Sequence, residues 1–364
     1  MDVRSITIEM VRSYAQACAD VHLCIERLRT IRYDLLVIPS RGASPFVDGA
    51  RSYAHALRDE KYADFEPAAP RIKPIEELYV PFTADIADDF PIPSSIIRRY
   101  WSRVVAAMIR RDAHDPALQF HLFLRSLSGA LAMGSTNIEG GGSGRFIFID
   151  TVVSGRAVCE IADAFAEQGV TQCHYILLVD EAGRRLKAEY RQKIDALVAA
   201  GMATKILVDR IFTEDEGPAM SGIWTVTFPV LMLQAQNMIE GLEDAVGAGL
   251  YYHEVAKRQD KSNSAITASN GILGTMLFAA VRGSDDSAAR FLEKFQDHVS
   301  GSGLQAQNVT KRIADPLVRA NLPTVSDTIV SGSHVLRAQM SESDAQKIVA
   351  SFLDEQTLSP KPKL

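Results

Sequence analysis

The sequence has little of what would set it apart from ordinary globular proteins, and each shortage excludes something. Only 4 of its 364 residues are cysteine. Cys18, Cys24, Cys159 and Cys173 form no C-x-x-C pair and match no zinc-module spacing, which excludes a disulfide scaffold and a zinc finger. Cys18 and Cys24 fall within a helical pattern, so buried free thiols in a reducing cytoplasm are expected. Long apolar runs are missing too. The longest, Trp224–Leu233 (broken by Pro229) and Ile272–Val281, are too short to cross a bilayer. Met1-Asp-Val-Arg4 is not followed by an apolar core, so no secretory leader and no membrane association are expected. No sign of charge dominates. Lys and Arg number 39 against 45 Asp and Glu, a net charge of -6. That balance argues against coating nucleic acid with the whole surface and leaves a local basic patch open. There is no G-x-S-x-G elbow and no Walker lysine, which removes two common hydrolase classes.

What is present is the composition of a folded chain, 47% hydrophobic and 23% charged. Its length allows two or three domains and a core that needs no staples. Val11, Tyr14, Cys18, Val21, Ile25 and Leu28 recur at steps of three and four and predict a helix from about Thr7 to Arg29. Asp34–Ile38 is an apolar run of strand length, followed by Pro39-Ser-Arg-Gly-Ala-Ser-Pro45 and a helix over Phe46–Arg58. A Pro-rich loop is expected over 64–75 and a strand over Glu77–Phe82, then helices over Ser94–Arg111 and Pro116–Ala132. Gly140–Gly144 reads as a flexible loop or a lid. It precedes a strand, whereas a dinucleotide fingerprint must follow one.

A regular region comes next. Phe146–Ile149, Tyr175–Val179 and Lys205–Val208 read as strands, separated by helices over Gly155–Glu167 and Arg184–Ala200. Strand starts roughly 30 residues apart fit linked βαβ units. The expected class is therefore α/β, a parallel sheet flanked by helices, occupying 1–210 with a helical insertion at about 94–132. Beyond 210 a strand or hairpin is expected at Thr225–Leu233. A mostly helical domain or cap then extends to 356, with breaks near Gly247, Gly301 and Pro323, and a disordered tail occupies 357–364.

Chemistry concentrates in two loops. Phe146-Ile-Phe-Ile-Asp-Thr-Val-Val-Ser-Gly-Arg-Ala157 is an apolar strand ending in an acid, followed by a glycine that opens a helix. A helix start offers unpaired N–H groups and a positive dipole end. Ser154 adds a hydroxyl and Arg156 a cation, so the segment can cradle a phosphate monoester. Asp150 stands at the edge of that cradle, where it can accept hydrogen bonds from sugar hydroxyls. The earlier loop places Ser40-Arg41-Gly42 after the strand Asp34–Ile38.

The Phe146–Ala157 segment resembles the phosphoribosyl-pyrophosphate loop of type I phosphoribosyltransferases: four apolar residues, two acids, three variable residues, then Thr-Gly-x-Thr. Asp150 takes the place of the second acid. Ile149 stands where the first acid would be, Ser154 replaces the Thr, and Ala157 replaces the final Thr. Ser40-Arg41-Gly42 is similar to that family's pyrophosphate loop, and the resemblance covers roughly 30–210. It implies a phosphoribosyltransferase-like fold and transfer of the phosphoribosyl group to a nitrogenous base. Mg²⁺ and the Arg41–Gly42 loop would hold the departing diphosphate. Thr151, Ser154, Gly155, Arg156 and Ala157 would hold the 5′-phosphate, and Asp150 would fix the ribose. Asp150 and Arg41 are thus the candidate catalytic residues, and no protein metal ligand is assigned. Val152 and Val153 cannot assist proton transfer to the base. A cytoplasmic homodimer is expected. The missing first acid supports a second reading, a sensor of 5′-phosphate nucleotides that has lost turnover and engages a protein partner through the helical C-terminal region.

Other residues read as structural. Trp224 suits core packing better than stacking on a base. His253-Glu254 lacks the second histidine of a zinc-protease helix, and Arg110-Arg111 and Arg184-Arg185 read as solvated helix faces.

Overall fold

The computed structural model describes residues 3–39, 43–62, 75–79, 94–112, 114–119, 144–211 and 272–302, together with 344 and 347. The first long element, α1 (Ile8–Thr30), begins where Thr7 caps it: the Thr7 side chain accepts from the Met10 N–H at 3.4 Å. Arg27 and Arg29 close its last turn, where cations suit the helix dipole. All six residues of the expected stripe are buried.

Five strands follow: β1 (Leu35–Ile38), β2 (Glu76–Tyr79), β3 (Phe146–Val152), β4 (Cys173–Val179) and β5 (Ala203–Leu207). They form one sheet in the order β2-β1-β3-β4-β5, parallel at every pairing. The helices between them are α2 (Ser44–Tyr62), α3 (Ser94–Arg110), α4 (Arg156–Glu167) and α5 (Ala188–Ala199), and α6 (Asp285–Ser302) follows the sheet.

Strand alternation divides the core into two layers. Leu36, Ile38, Ile147, Ile149, Ile176, Leu178 and Ile206 join α1 and α2 on one face, where the Tyr14 and Phe46 rings stack with centroids 3.9 Å apart. Leu273, Met276 and Leu277 of the helical stretch 272–281 and Leu292 and Phe295 of α6 belong to the same cluster. This core therefore runs across residue 210, where the sequence suggests a boundary. On the opposite face Phe146 and Phe148 meet Phe165 of α4 edge-on, with centroids at 5.3 and 5.8 Å. The chain is thus an α/β protein with a parallel sheet covered on both sides. Among the described residues no helix is long and apolar enough to cross a membrane.

Two local expectations need correction. β3 does not stop at Ile149. Asp150, Thr151 and Val152 pair with Leu177, Leu178 and Val179, because the β-branched Thr151 and Val152 carry the ladder onward. α5 begins at Ala188, not Arg184. Glu181, Ala182 and Gly183 have φ of 47°, 51° and 84°, and this left-handed turn delays the helix until Lys187 caps it. Arg184 and Arg185 lie in that turn and not on a helix face. α6 ends at Ser302, one residue past Gly301, where the sequence suggests a break. Thr225–Leu233, Trp224, His253-Glu254, Gly140–Ser143, the Pro-rich loop over 64–74, all of 120–132, the breaks at Gly247 and Pro323 and the 357–364 tail lie outside the described residues.

Candidate functional site

Between β1 and β3 the chain leaves the sheet in opposite directions. β1 leads through α2 to β2 on one side, and β3 leads through α4 to β4 on the other. In open parallel sheets this switch point leaves a crevice above the C-terminal strand ends, where ligands bind. Pro39 and Ala43 flank the β1 side. The Ala43 carbonyl accepts the N–H groups of Phe46 and Val47 at 3.1 and 3.2 Å and starts α2. Ser40, Arg41 and Gly42 themselves lie outside the described residues.

The β3 side is fully described. Asp150 is 6% exposed, and its Oδ1 accepts from the Thr151 N–H at 2.8 Å. Val152 ends the strand, and Val153–Gly155 make the turn into α4. Gly155 is required there twice over. Its φ of 88° is left-handed, and a Cβ would lie 2.8 Å from Tyr190 Cβ and within 3.3 Å of Leu186 and Ile194. Ser154 fastens the turn on both sides. Its carbonyl accepts from the Lys187 N–H at 3.2 Å, and its Oγ accepts from the Arg156 N–H at 3.4 Å.

Gly155 has no side chain to cap α4, and the helix's first turn holds no acid. Arg156 occupies the first helical position, with its side chain 48% exposed, and its Nε donates to Glu160 Oε1 at 2.7 Å. Ala157 follows, part-exposed. The structure therefore brings Asp150, Thr151, Ser154, Gly155, Arg156 and Ala157 into one strand–turn–helix unit at the switch point. Backbone N–H groups, a hydroxyl and a cation at the positive end of a helix suit a dianionic group.

Two further groups went unpredicted. Arg98 of α3 donates to Glu160 Oε2 and so joins Arg156 on one carboxylate. The spacing of α3 marks its apolar stripe but does not reveal which polar residue reaches a neighbouring helix. The second group is Asp180-Glu181 at the end of β4. Asp180 is buried and accepts from the Ile211 N–H at 2.8 Å, Glu181 accepts from Arg210 Nη1 at 3.0 Å, and Arg185 stands 3.5 Å from Asp180. Burial raises the Asp180 carboxyl pKa above its usual value, opposed by the Ile211 N–H and Arg210. A signal existed, since Asp180 follows the apolar run Tyr175–Val179 just as Asp150 follows Phe146–Ile149.

Among the described residues no three His, Cys, Asp or Glu side chains are grouped to hold a metal ion. No protein-family model, no curated protein and no solved structure matches this chain.

Proposed function

We propose that this chain binds phosphoribosyl pyrophosphate above β1 and β3 and transfers its phosphoribosyl group to a nitrogenous base, as a divergent protein of the phosphoribosyltransferase-like fold. One observation carries the reading: the unit at the switch point, with buried Asp150 two residues before the end of β3, a turn only glycine can make, and a helix that opens on a cation. In this reading the N–H groups at the start of α4, with Ser154 and Arg156, hold the 5′-phosphate. Asp150 accepts from the ribose hydroxyls, and the Arg41-Gly42 loop holds the diphosphate. The bond from C1 to the diphosphate breaks with its electron pair leaving on the diphosphate, a lone pair of the base nitrogen forms the new bond to C1, and that nitrogen's proton is released to solvent. The protein contributes position and electrostatic stabilisation of the leaving group. Mg²⁺ would neutralise diphosphate charge. It would enter bound to the diphosphate of the substrate.

A second reading is favoured by Ile149. It fills the place of the family's first acid and is wholly buried in the core cluster beside α1 and α2. A chain lacking half of the acid pair can still bind a 5′-phosphate nucleotide without turning over. Incubation with phosphoribosyl pyrophosphate, Mg²⁺ and a panel of bases separates the two. Diphosphate release with any base supports transfer. No release, with tight binding of a 5′-phosphate nucleotide, selects the sensor. In either case Asp150→Asn is expected to weaken binding of phosphoribosyl pyrophosphate about tenfold or more, the loss of a hydrogen bond to a charged acceptor. Unchanged affinity by calorimetry would remove Asp150 from the site.

A further inference from the structure

Two cations share one carboxylate where α4 begins. Glu160 lies one turn into the helix. Its Oε1 accepts from Arg156 Nε at 2.7 Å, and its Oε2 accepts from Arg98 Nη1, which reaches across from α3. The side chains of Arg98, Glu160 and Arg156 are 11%, 25% and 48% exposed, so the Arg98 half is shielded and the Arg156 half faces solvent. As a device for stabilising a helix the arrangement is poor. Arg156 opposes the dipole at the positive end. An arginine placed before its glutamate at i,i+4 is the weaker order. The first turn supplies no acid to offset either. Local rules broken in this way are expected at functional positions.

We infer that Glu160 is a resident counter-ion of the anion site: it holds Arg156 while the site is empty, and an incoming phosphate takes Arg156 over. Arg98 keeps Glu160 in place and neutralises part of its charge. Arg156 is then a binding residue, and Glu160 and Arg98 are positioning residues. The inference rests on the phosphate reading of the turn at 153–156. It makes α3, the helix between β2 and β3, a determinant of ligand affinity.

Calorimetric titration of the full chain with ribose 5-phosphate at low salt tests it. Glu160→Gln keeps the shape and removes the competing charge, so binding is expected to tighten about two- to fivefold. Arg98→Ala leaves Glu160 entirely to Arg156 and is expected to weaken binding by a similar factor, an effect that vanishes in the Glu160→Gln background. Glu167→Gln, at the far end of α4 beside Arg99, serves as the unchanged control. A merely structural role would lower the melting temperature of Glu160→Gln and would not tighten binding. Wild-type binding with equal or weaker binding by folded Glu160→Gln overturns the counter-ion role and leaves the phosphate site standing. Should Glu160→Gln fail to fold, Arg98→Ala binding as tightly as wild type overturns it equally. Absence of binding by the wild type overturns the site and the inference together.

Discussion

Single residues set the tightest constraints on this structure. Gly155 combines a left-handed backbone with a space that Tyr190 already occupies. Gly155→Ala is therefore expected to destabilise the protein by about 2–3 kcal/mol, readable as a lower urea midpoint. Binding of ribose 5-phosphate should fall with it, since the turn that aims the amides is the one displaced. His174 is the corresponding case at the other end of the sheet. Its ring is buried, shares a 2.9 Å hydrogen bond with Thr204 Oγ1, and meets the Tyr33 ring edge-on. Arg27 donates to the same Thr204 hydroxyl at 3.3 Å, and Arg145 lies over the Tyr33 ring. Burial, and then Arg27, lower the His174 pKa below its ordinary 6.5, against a hydrogen bond to the Gly201 backbone carbonyl that raises it. The unfolded chain then binds the proton more readily than the folded one. The stability held in neutral His174 is complete above about pH 6.5 and is lost as the pH falls through that value towards the lower folded one. Urea midpoints measured between about pH 7.5 and 5 should drop, and His174→Gln should flatten the slope. An equal slope in the variant would assign the acid sensitivity elsewhere.

Among elements, α4 links the sheet to both neighbouring helices. Phe165 packs against Phe146 and Phe148, Glu160 ties to α3, and Lys193 of α5 pairs with Asp163. Phe165→Ala removes a fully buried ring and is expected to cost about 3–5 kcal/mol in chemical denaturation. Most of this architecture is legible in the sequence because apolar periodicity records burial. The α1 stripe betrays which side faces the core, and the all-apolar β1 and Phe146–Ile149 runs betray strands covered on both faces. Element ends are less legible, because backbone sterics and local hydrogen bonds set them. Glu181 and Ala182 adopt left-handed conformations that their residue types do not announce, so the start of α5 is misjudged by four residues while its buried Ile194 is not. The candidate site divides in the same way. Asp150 and the Ser154–Ala157 unit are visible because an acid and a glycine interrupt an apolar pattern. Arg98 is invisible because its role depends on the approach of α3 to α4.

At the scale of the whole molecule, the 4 cysteines test the packing independently. All of them are buried free thiols. Burial raises the Cys18 and Cys173 thiols far above their usual range and pushes Cys159 up to about 11. A thiolate-selective reagent should therefore leave the folded protein almost unlabelled and titrate all 4 after denaturation in guanidinium. Fast labelling of the native chain would contradict the described core. The net charge of -6 matters at this scale as well: the overall field would not draw in a phosphate, so on the proposed reading capture would depend on local groups such as Arg156 and the start of α4. Finally, the strand order carries a kinetic consequence. β3, β4 and β5 are joined by short βαβ connections, whereas β1 must find β3 from far along the chain, with Leu35 meeting Phe146. Closing that long loop costs entropy before any contact repays it. The half of the sheet formed by β3–β5 should acquire amide protection first in pulse-labelled refolding, with β1 and β2 adding later. The crevice at the switch point would then be among the last features of the molecule to exist.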